Sequence, residues 1–357
     1  MANAVTGDAP PPGVAVVCCF LNGRRFLAEA IDSVLAQTYP HWTLTLVDDG
    51  STDGASELAR TYAARDRRIR YIEHAGHANH GLSASRNAGI AASTGEFVAP
   101  IDADDWWPPA KLAEQVALME ADPRLGMVCG ASVYARAWNG GKDVVVPSGQ
   151  QFNKPIPPPE ALLAVYPLGK GPAPPPSGLL LRRSAIERVG GFEASFRGVL
   201  ALYEDQAFLA KLYLEEPVLF SDQVWLFYRQ HENSIVASVV AQGRYHEVRR
   251  HFLEWFERRL KRHPGVDRRV RVAVWRALLP YRVPGGTWML RHRPDRRLIG
   301  TLRAFRQFLR AGRPIGRVGI SASDAPAMPA ATAAPRPEGA SLNAATSPCE
   351  RLPGFRR

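Results

Sequence analysis

The chain has 357 residues, 46% of them hydrophobic and 22% charged, with a net charge of +11. That length allows one large domain or two modest ones plus appendages, and the balance is an ordinary globular one. Four cysteines (Cys18, Cys19, Cys129, Cys349) with no CxxC pair exclude a disulfide framework and the usual zinc spacing, and fit a reducing compartment.

Residues 1–12 lack the basic start and apolar core of a signal peptide and read as a flexible leader. Val14–Phe20 is a continuous apolar run, the pattern of a buried parallel strand. Asn22 is placed to cap the helix that follows, where Phe26, Leu27, Ala30, Ile31, Val34 and Leu35 recur at helical spacing. Residues 42–47 form the next strand, with a helix to about Arg65, a strand at 69–72, a helix at 82–92 and a strand at 96–101. Strand and helix in strict alternation predict an α/β fold, a mostly parallel sheet with helices on both faces. A helix then runs from about Pro109 to Ala121, and strands are expected at 127–134 and 144–146. Residues 155–176 are proline-rich and predict a loop or lid. A strand is expected at 177–181, a helix at 203–214 and a strand at 224–228.

Beyond about Ala237 the chain is helical in pattern and Arg-rich to about Arg313, while 321–357 is Ala-, Pro- and Ser-rich and reads as disordered. Residues 241–320 carry 21 Arg and Lys against 5 Asp and Glu, a net +16, so the rest of the chain is slightly acidic at −5. The basicity belongs to an appendage. No stretch approaches the roughly 20 apolar residues of a membrane-spanning helix.

Four segments fall at predicted strand ends, where ligands bind in open α/β sheets. They are Phe20-Leu21-Asn22, Asp48-Asp49-Gly50-Ser51-Thr52-Asp53, the stretch from Gly81 to Gly89, and Asp102-Ala103-Asp104-Asp105. Three aspartates after a buried run repel one another unless a cation or solvent offsets them, and their hard oxygens suit Mg²⁺ or Mn²⁺. The alternative is an acidic helix N-terminus. Asp48-Asp49-Gly50-Ser51 is either a ligand loop or a turn with helix caps. Arg86, among small residues opening a helix, either meets a phosphate or lies on a packed surface helix. Glu204-Asp205 starts a helix, which acids favour for electrostatic reasons alone. His231 follows a strand and either touches metal or phosphate or is solvated. The P-loop and GxGxxG patterns are absent.

Taken in order, with Gly190-Gly191-Phe192 added, these segments resemble the family 2 glycosyltransferases of the GT-A fold over about residues 13–235. The resemblance implies a nucleotide-sugar half at 13–121 and an acceptor half at 122–235, followed by a basic helical region at 236–320. It assigns Leu21, Asn22, Asp49, Ser51, Gly81, Ser85, Arg86, Asp102, Ala103 and Asp104 to the nucleotide sugar, with Asp49 facing the base. Leu21 stands where the family often has an aromatic residue. Asp102 and Asp104 would hold Mn²⁺ or Mg²⁺ as the DxD site. Asp205 is the implied catalytic base of an inverting sugar transfer to an acceptor hydroxyl, with Glu204 the fallback, in cell-surface polysaccharide or glycoconjugate synthesis.

The other functional classes weighed are a non-catalytic nucleotide-sugar binder and a membrane- or nucleic-acid-binding protein acting through its basic end. No recognition motif supports nucleic acid. Aromatic residues sit among the basic ones at His251-Phe252-Leu253-Glu254-Trp255-Phe256 and from Leu302 to Leu309. They fit either a helix on an anionic membrane, near a saccharide or lipid-linked acceptor, or a cap packed on the domain. The expected location is cytoplasmic, either free or peripheral on the inner face of the membrane.

Overall fold

The computed structural model describes residues 13–263 and 265–284. They form one mixed sheet of nine strands: β1 (Val14–Phe20), β2 (Trp42–Asp48), β3 (Ile69–Glu73), β4 (Phe97–Asp102), β5 (Met127–Ala135), β6 (Val144–Val146), β7 (Pro155–Ile156), β8 (Leu179–Arg182) and β9 (Val218–Arg229). The order is β3-β2-β1-β4-β8-β5-β9-β7, with β6 paired to β5. Strands β3, β2, β1 and β4 are mutually parallel, β8 is antiparallel to both its neighbours, and β9 runs parallel to β5. The block β3-β2-β1-β4 is parallel throughout, as the alternation predicted, while β6, β7 and β8 pair antiparallel in the second half of the sheet.

The helices are α1 (Leu27–Leu35), α2 (Ala55–Arg65), α3 (Leu82–Ala91), α4 (Lys111–Ala121), α5 (Glu160–Ala164), α6 (Arg183–Val189), α7 (Glu204–Glu215), α8 (Ile235–Ala241), α9 (Tyr245–Lys261) and α10 (Arg268–Arg282). β1 explains why both faces are covered. Val14, Val16, Cys18 and Phe20 join a cluster with α1, α2 and α4, while Ala15, Val17 and Cys19 join one with α6, α7, α9 and α10. A strand wholly apolar on both sides needs a layer on each. Cys18 and Cys19 pack as small hydrophobes, and burial pushes the Cys19 thiol up to about 12. The register of β5 against β9 breaks at Gly130, where a Cβ would come 2.4 Å from the Gln223 carbonyl. Past this bulge, Phe227 pairs with Trp106 and the end of β9 reaches the loop after β4.

Several expectations are corrected. Asn22 does not cap α1, which begins at Leu27. Its backbone is left-handed (φ 53°), so the side chain turns toward the β2 loop and accepts the Thr52 N–H at 2.8 Å. The proline-rich stretch is mostly irregular, as expected, but also contains the two-residue β7 and the five-residue α5. The aromatic set on α9 faces inward. Phe252, Leu253 and Phe256 are buried, and Trp255 packs edge-on to Phe196, so α9 is a packed cap. Leader 1–12, Leu302 to Leu309 and tail 321–357 lie outside the described residues.

Candidate active site

Parallel pairing brings the loops together. Phe20 stands opposite Asp48, Cys19 opposite Asp102 and Asp48 opposite Glu73, so the loops after β1, β2 and β4 leave one edge of the sheet. β2 and β4 flank β1, which separates Asp49 from Asp102 by about 10 Å in the pairing direction.

Asp48 builds its own loop. Its carboxylate is buried and accepts the Gly50 and Ser51 N–H groups (3.2 and 2.8 Å), Ser56 Oγ (2.5 Å) and Tyr71 Oη (3.0 Å). Burial acts to raise its pKa, but the bonds from Ser56 and Ser51 outweigh it and hold the group low. The adjacent Asp49 accepts the N–H of His80 at 2.7 Å and of Gly81 at 3.1 and 3.0 Å, fixing the start of α3. Gly81 has φ 87°, which L side chains rarely adopt. Ser85 is buried beneath it and meets His74 Nε2 at 2.8 Å. Ser51 Oγ accepts the Asn22 N–H at 3.0 Å, tying the first two loops, and Leu21 stands exposed at the rim.

The third loop is divided in its tasks. Asp105 is buried, accepts Ser177 Oγ (2.6 Å) and the Arg229 N–H (3.0 Å), and is pushed well above the usual carboxylate range by burial and by Asp104 and Asp102. It anchors the loop. Ala103 sits at the tip, against Gly23. Asp104 meets His231 Nε2 at 2.8 Å through Oδ2, and its carbonyl accepts Arg229 Nε at 2.8 Å. Asp102 Oδ1 accepts Arg86 Nη2 at 2.5 Å. Arg86 is 2% exposed, and its other nitrogen grips Glu204, also 2% exposed. The guanidinium expected at a phosphate is thus engaged by two carboxylates.

Asp205 differs from its neighbour. It accepts hydrogen bonds from the N–H and side chain of Gln206 (2.6 and 3.2 Å), and none of the described cations pairs with it. Burial chiefly raises its pKa to about 6, the Gln206 bond and Arg86 pull it down, and the Asp102 charge adds to the rise. A carboxylate in that state suits proton abstraction near neutral pH.

The residues fit a divalent cation at Asp102 and Asp104. Among the described residues, Asp102 Oδ2 and Asp104 Oδ1 receive no protein hydrogen bond, both side chains are partly exposed, and the His231 imidazole is adjacent. Hard oxygens with one nitrogen suit Mn²⁺ or Mg²⁺, leaving positions for phosphate oxygens. Asp48, Glu73 and His77 also place ligand atoms within 4.8 Å of one another. Their oxygens are already engaged, since Tyr71 Oη bridges Asp48 and Glu73, and Arg60 reaches Glu73.

Sequence reasoning passed over His74, His77 and His80. They recur every third residue in the loop after β3, a visible signal. His77 Nε2 lies 2.8 Å from the Ser51 carbonyl, and His80 stacks on His74 at 4.4 Å. Ser177, which the sequence pattern places only in a strand, bonds both Asp102 and Asp105.

Residues 15–190 match the family profile described as Glycosyl transferase family 2. TuaG of Bacillus subtilis, provisionally named a teichuronic acid biosynthesis glycosyltransferase, is 36% identical over 110 residues, 30% of this chain and 42% of that protein. The matched stretches cover 39% to 52% of three curated relatives, so the chain spans about half their length or less. Staphylococcus aureus TarS 1–349 in complex with UDP-GlcNAc shares the fold at a TM-score of 0.57 and 18% identity, over 82% of this chain and 80% of that one. The mannosyltransferase PcManGT from Pyrobaculum calidifontis, in complex with GDP-Man and Mn²⁺, does so at 0.52 and 19%, over 86% and 79%.

Proposed function

We propose that the chain, whose residues 15–190 match glycosyl transferase family 2, is a transferase of the GT-A fold that moves a sugar from a nucleotide-diphosphate donor to an acceptor hydroxyl with inversion. The observation that carries the reading is Asp205, a carboxylate without a paired cation, raised to about 6 beside Asp102, while Glu204 is engaged by Arg86. Residues 13–121 form the donor half of this reading and 122–235 the acceptor half. The nucleotide-sugar donors in the TarS and PcManGT structures support a nucleotide-sugar partner, and Mn²⁺ in PcManGT supports a divalent cation. The name of TuaG supports a role in cell-surface polysaccharide synthesis.

Asp49, with Asn22 and Ser51, lines the place for the base, and Arg86 sets the orientation of Asp102. A divalent cation held by Asp102 and Asp104, with His231 beside them, would offset charge on the departing diphosphate. Asp205 takes the acceptor proton as the hydroxyl oxygen attacks the anomeric carbon, and the bond to the diphosphate breaks on the opposite face. A single displacement inverts the centre, and no carboxylate nucleophile is needed. The net positive charge of the basic region at 236–320 favours an anionic membrane at the cytoplasmic face, where lipid-linked acceptors lie. Among the described residues no helix is long and apolar enough to cross a membrane.

The test is nucleoside diphosphate release across a panel of nucleotide sugars and acceptors. Release is expected with one donor class, lost in EDTA and restored by Mn²⁺ or Mg²⁺. Full turnover in a chelated sample would contradict the cation, and no binding of any nucleotide sugar would overturn the reading.

A further inference from the structure

Seven large hydrophobic side chains stand exposed among the described residues. Six of them, Ile235, Val236, Val240, Trp275, Leu279 and Val283, lie on or just after α8 and α10. A solvated helix normally turns a polar face outward. α10 instead carries two apolar faces. Val270, Val274, Ala277, Leu278 and Tyr281 are buried, whereas Trp275 (51% exposed), Leu279 (39%) and Val283 (44%) recur four residues apart on the outside. At 100° per residue these three fall within about 80° of arc. Arg268 lies two turns back on the same side, and Arg276 is exposed beside Trp275.

Charge decides what this face fits. Residues 245–284 hold 11 Arg and Lys against 4 Asp and Glu, a net +7. A second copy would bring the same charge against it. Residues 285–320 carry 9 basic and 1 acidic residue, a net +8, so that part of the chain also has the wrong sign to cover it. A tryptophan and aliphatic stripe bordered by arginines matches an anionic lipid surface, with the ring at the headgroup level and the guanidinium groups on phosphates.

We infer that α10 docks the protein on an anionic membrane through Trp275, Leu279 and Val283, steered by Arg268 and Arg276. This rests on the reading that the acceptor is membrane-borne. It replaces the α9 aromatic set, which packs inward, with α10 as the lipid-facing element.

The experiment is co-sedimentation of the full chain with phosphatidylcholine vesicles, with and without phosphatidylglycerol. The parent binds only the anionic vesicles. Trp275→Ala binds them about tenfold more weakly, because the ring's apolar area stays in water. Trp275→Phe keeps most of the binding, and Arg276→Gln weakens it about fivefold. Either of two vesicle results overturns the inference: a parent that binds neither vesicle, or a Trp275→Ala protein that binds anionic vesicles as tightly as the parent. A parent that is dimeric in solution, with Trp275→Ala monomeric, assigns the face to a second copy and also overturns it. Trp275 lies outside the catalytic machinery, so nucleoside diphosphate release with a soluble acceptor is unchanged in these variants. Absence of release from every protein strikes the transferase reading, whatever the vesicles show.

Discussion

Replacing Arg86 with methionine probes the joint between the two halves of the site. Arg86 and Glu204 are each 2% exposed, and the guanidinium bridges Glu204 to Asp102. Without it, Glu204 keeps only Ser83 Oγ, at 3.5 Å. Removing one partner of a buried ion pair costs about 3–5 kcal/mol, because the remaining charge has no compensation. Glu204→Gln is milder at about 1–3 kcal/mol, since Arg86 retains the partly solvated Asp102. The double variant buries neither charge, so it should be more stable than the summed single effects by at least about 1 kcal/mol. At about 2–4 °C per kcal/mol for a domain of this size, Arg86→Met melts about 6–20 °C lower than the parent. Urea unfolding followed by circular dichroism reads the three differences at a common slope. An Arg86→Met protein within about 0.5 kcal/mol of the parent would show that the bridge does not hold the halves together.

Asp205 makes a pH-dependent prediction. It titrates near 6 when folded against an ordinary 3.8, so above pH 6 it is charged in both states and the folded state bears the cost. Asp205→Asn should therefore stabilise the chain by about 1–3 kcal/mol at pH 8, a gain that shrinks as pH falls through 6 and vanishes below about 4. A gain that does not change with pH in melting scans would argue against burial as the cause. Gly89→Ala tests the packing of α3, since the added Cβ would fall 2.4 Å from Val17 Cγ1 and 2.9 Å from Val47 Cγ2. Crowding of about 1–3 kcal/mol exceeds the gain in helix propensity of about 1, so a net loss is expected. A higher melting temperature would contradict it.

What could be read from sequence followed the range of the interactions. β1 and β4 are continuous apolar runs and β2 alternates apolar residues with Thr43 and Thr45, each ending in a polar loop, so strands and site loops were legible together. The links between loops were not. Arg86 and Glu204 are 118 residues apart and Asp104 and His231 are 127 apart, and no local pattern announces such a pair. Asn22 looked like a helix cap because its residue type suits one, yet its partner is Thr52 across the sheet edge. α9 and α10 are both amphipathic and basic, and only packing shows that α9 turns its aromatic residues inward while α10 leaves Trp275 outside. β7 and α5 were hidden by prolines that normally interrupt regular structure, and they survive as two short elements.

The central claim is that Asp205 takes the acceptor proton while Glu204 serves the bridge. Transfer rates measured beside donor titrations of Asp205→Asn and Glu204→Gln test it most directly. Asp205→Asn should bind donor as the parent does and transfer sugar about 10²- to 10⁴-fold more slowly, while Glu204→Gln loses less. An Asp205→Asn protein that transfers at the parental rate would contradict the account.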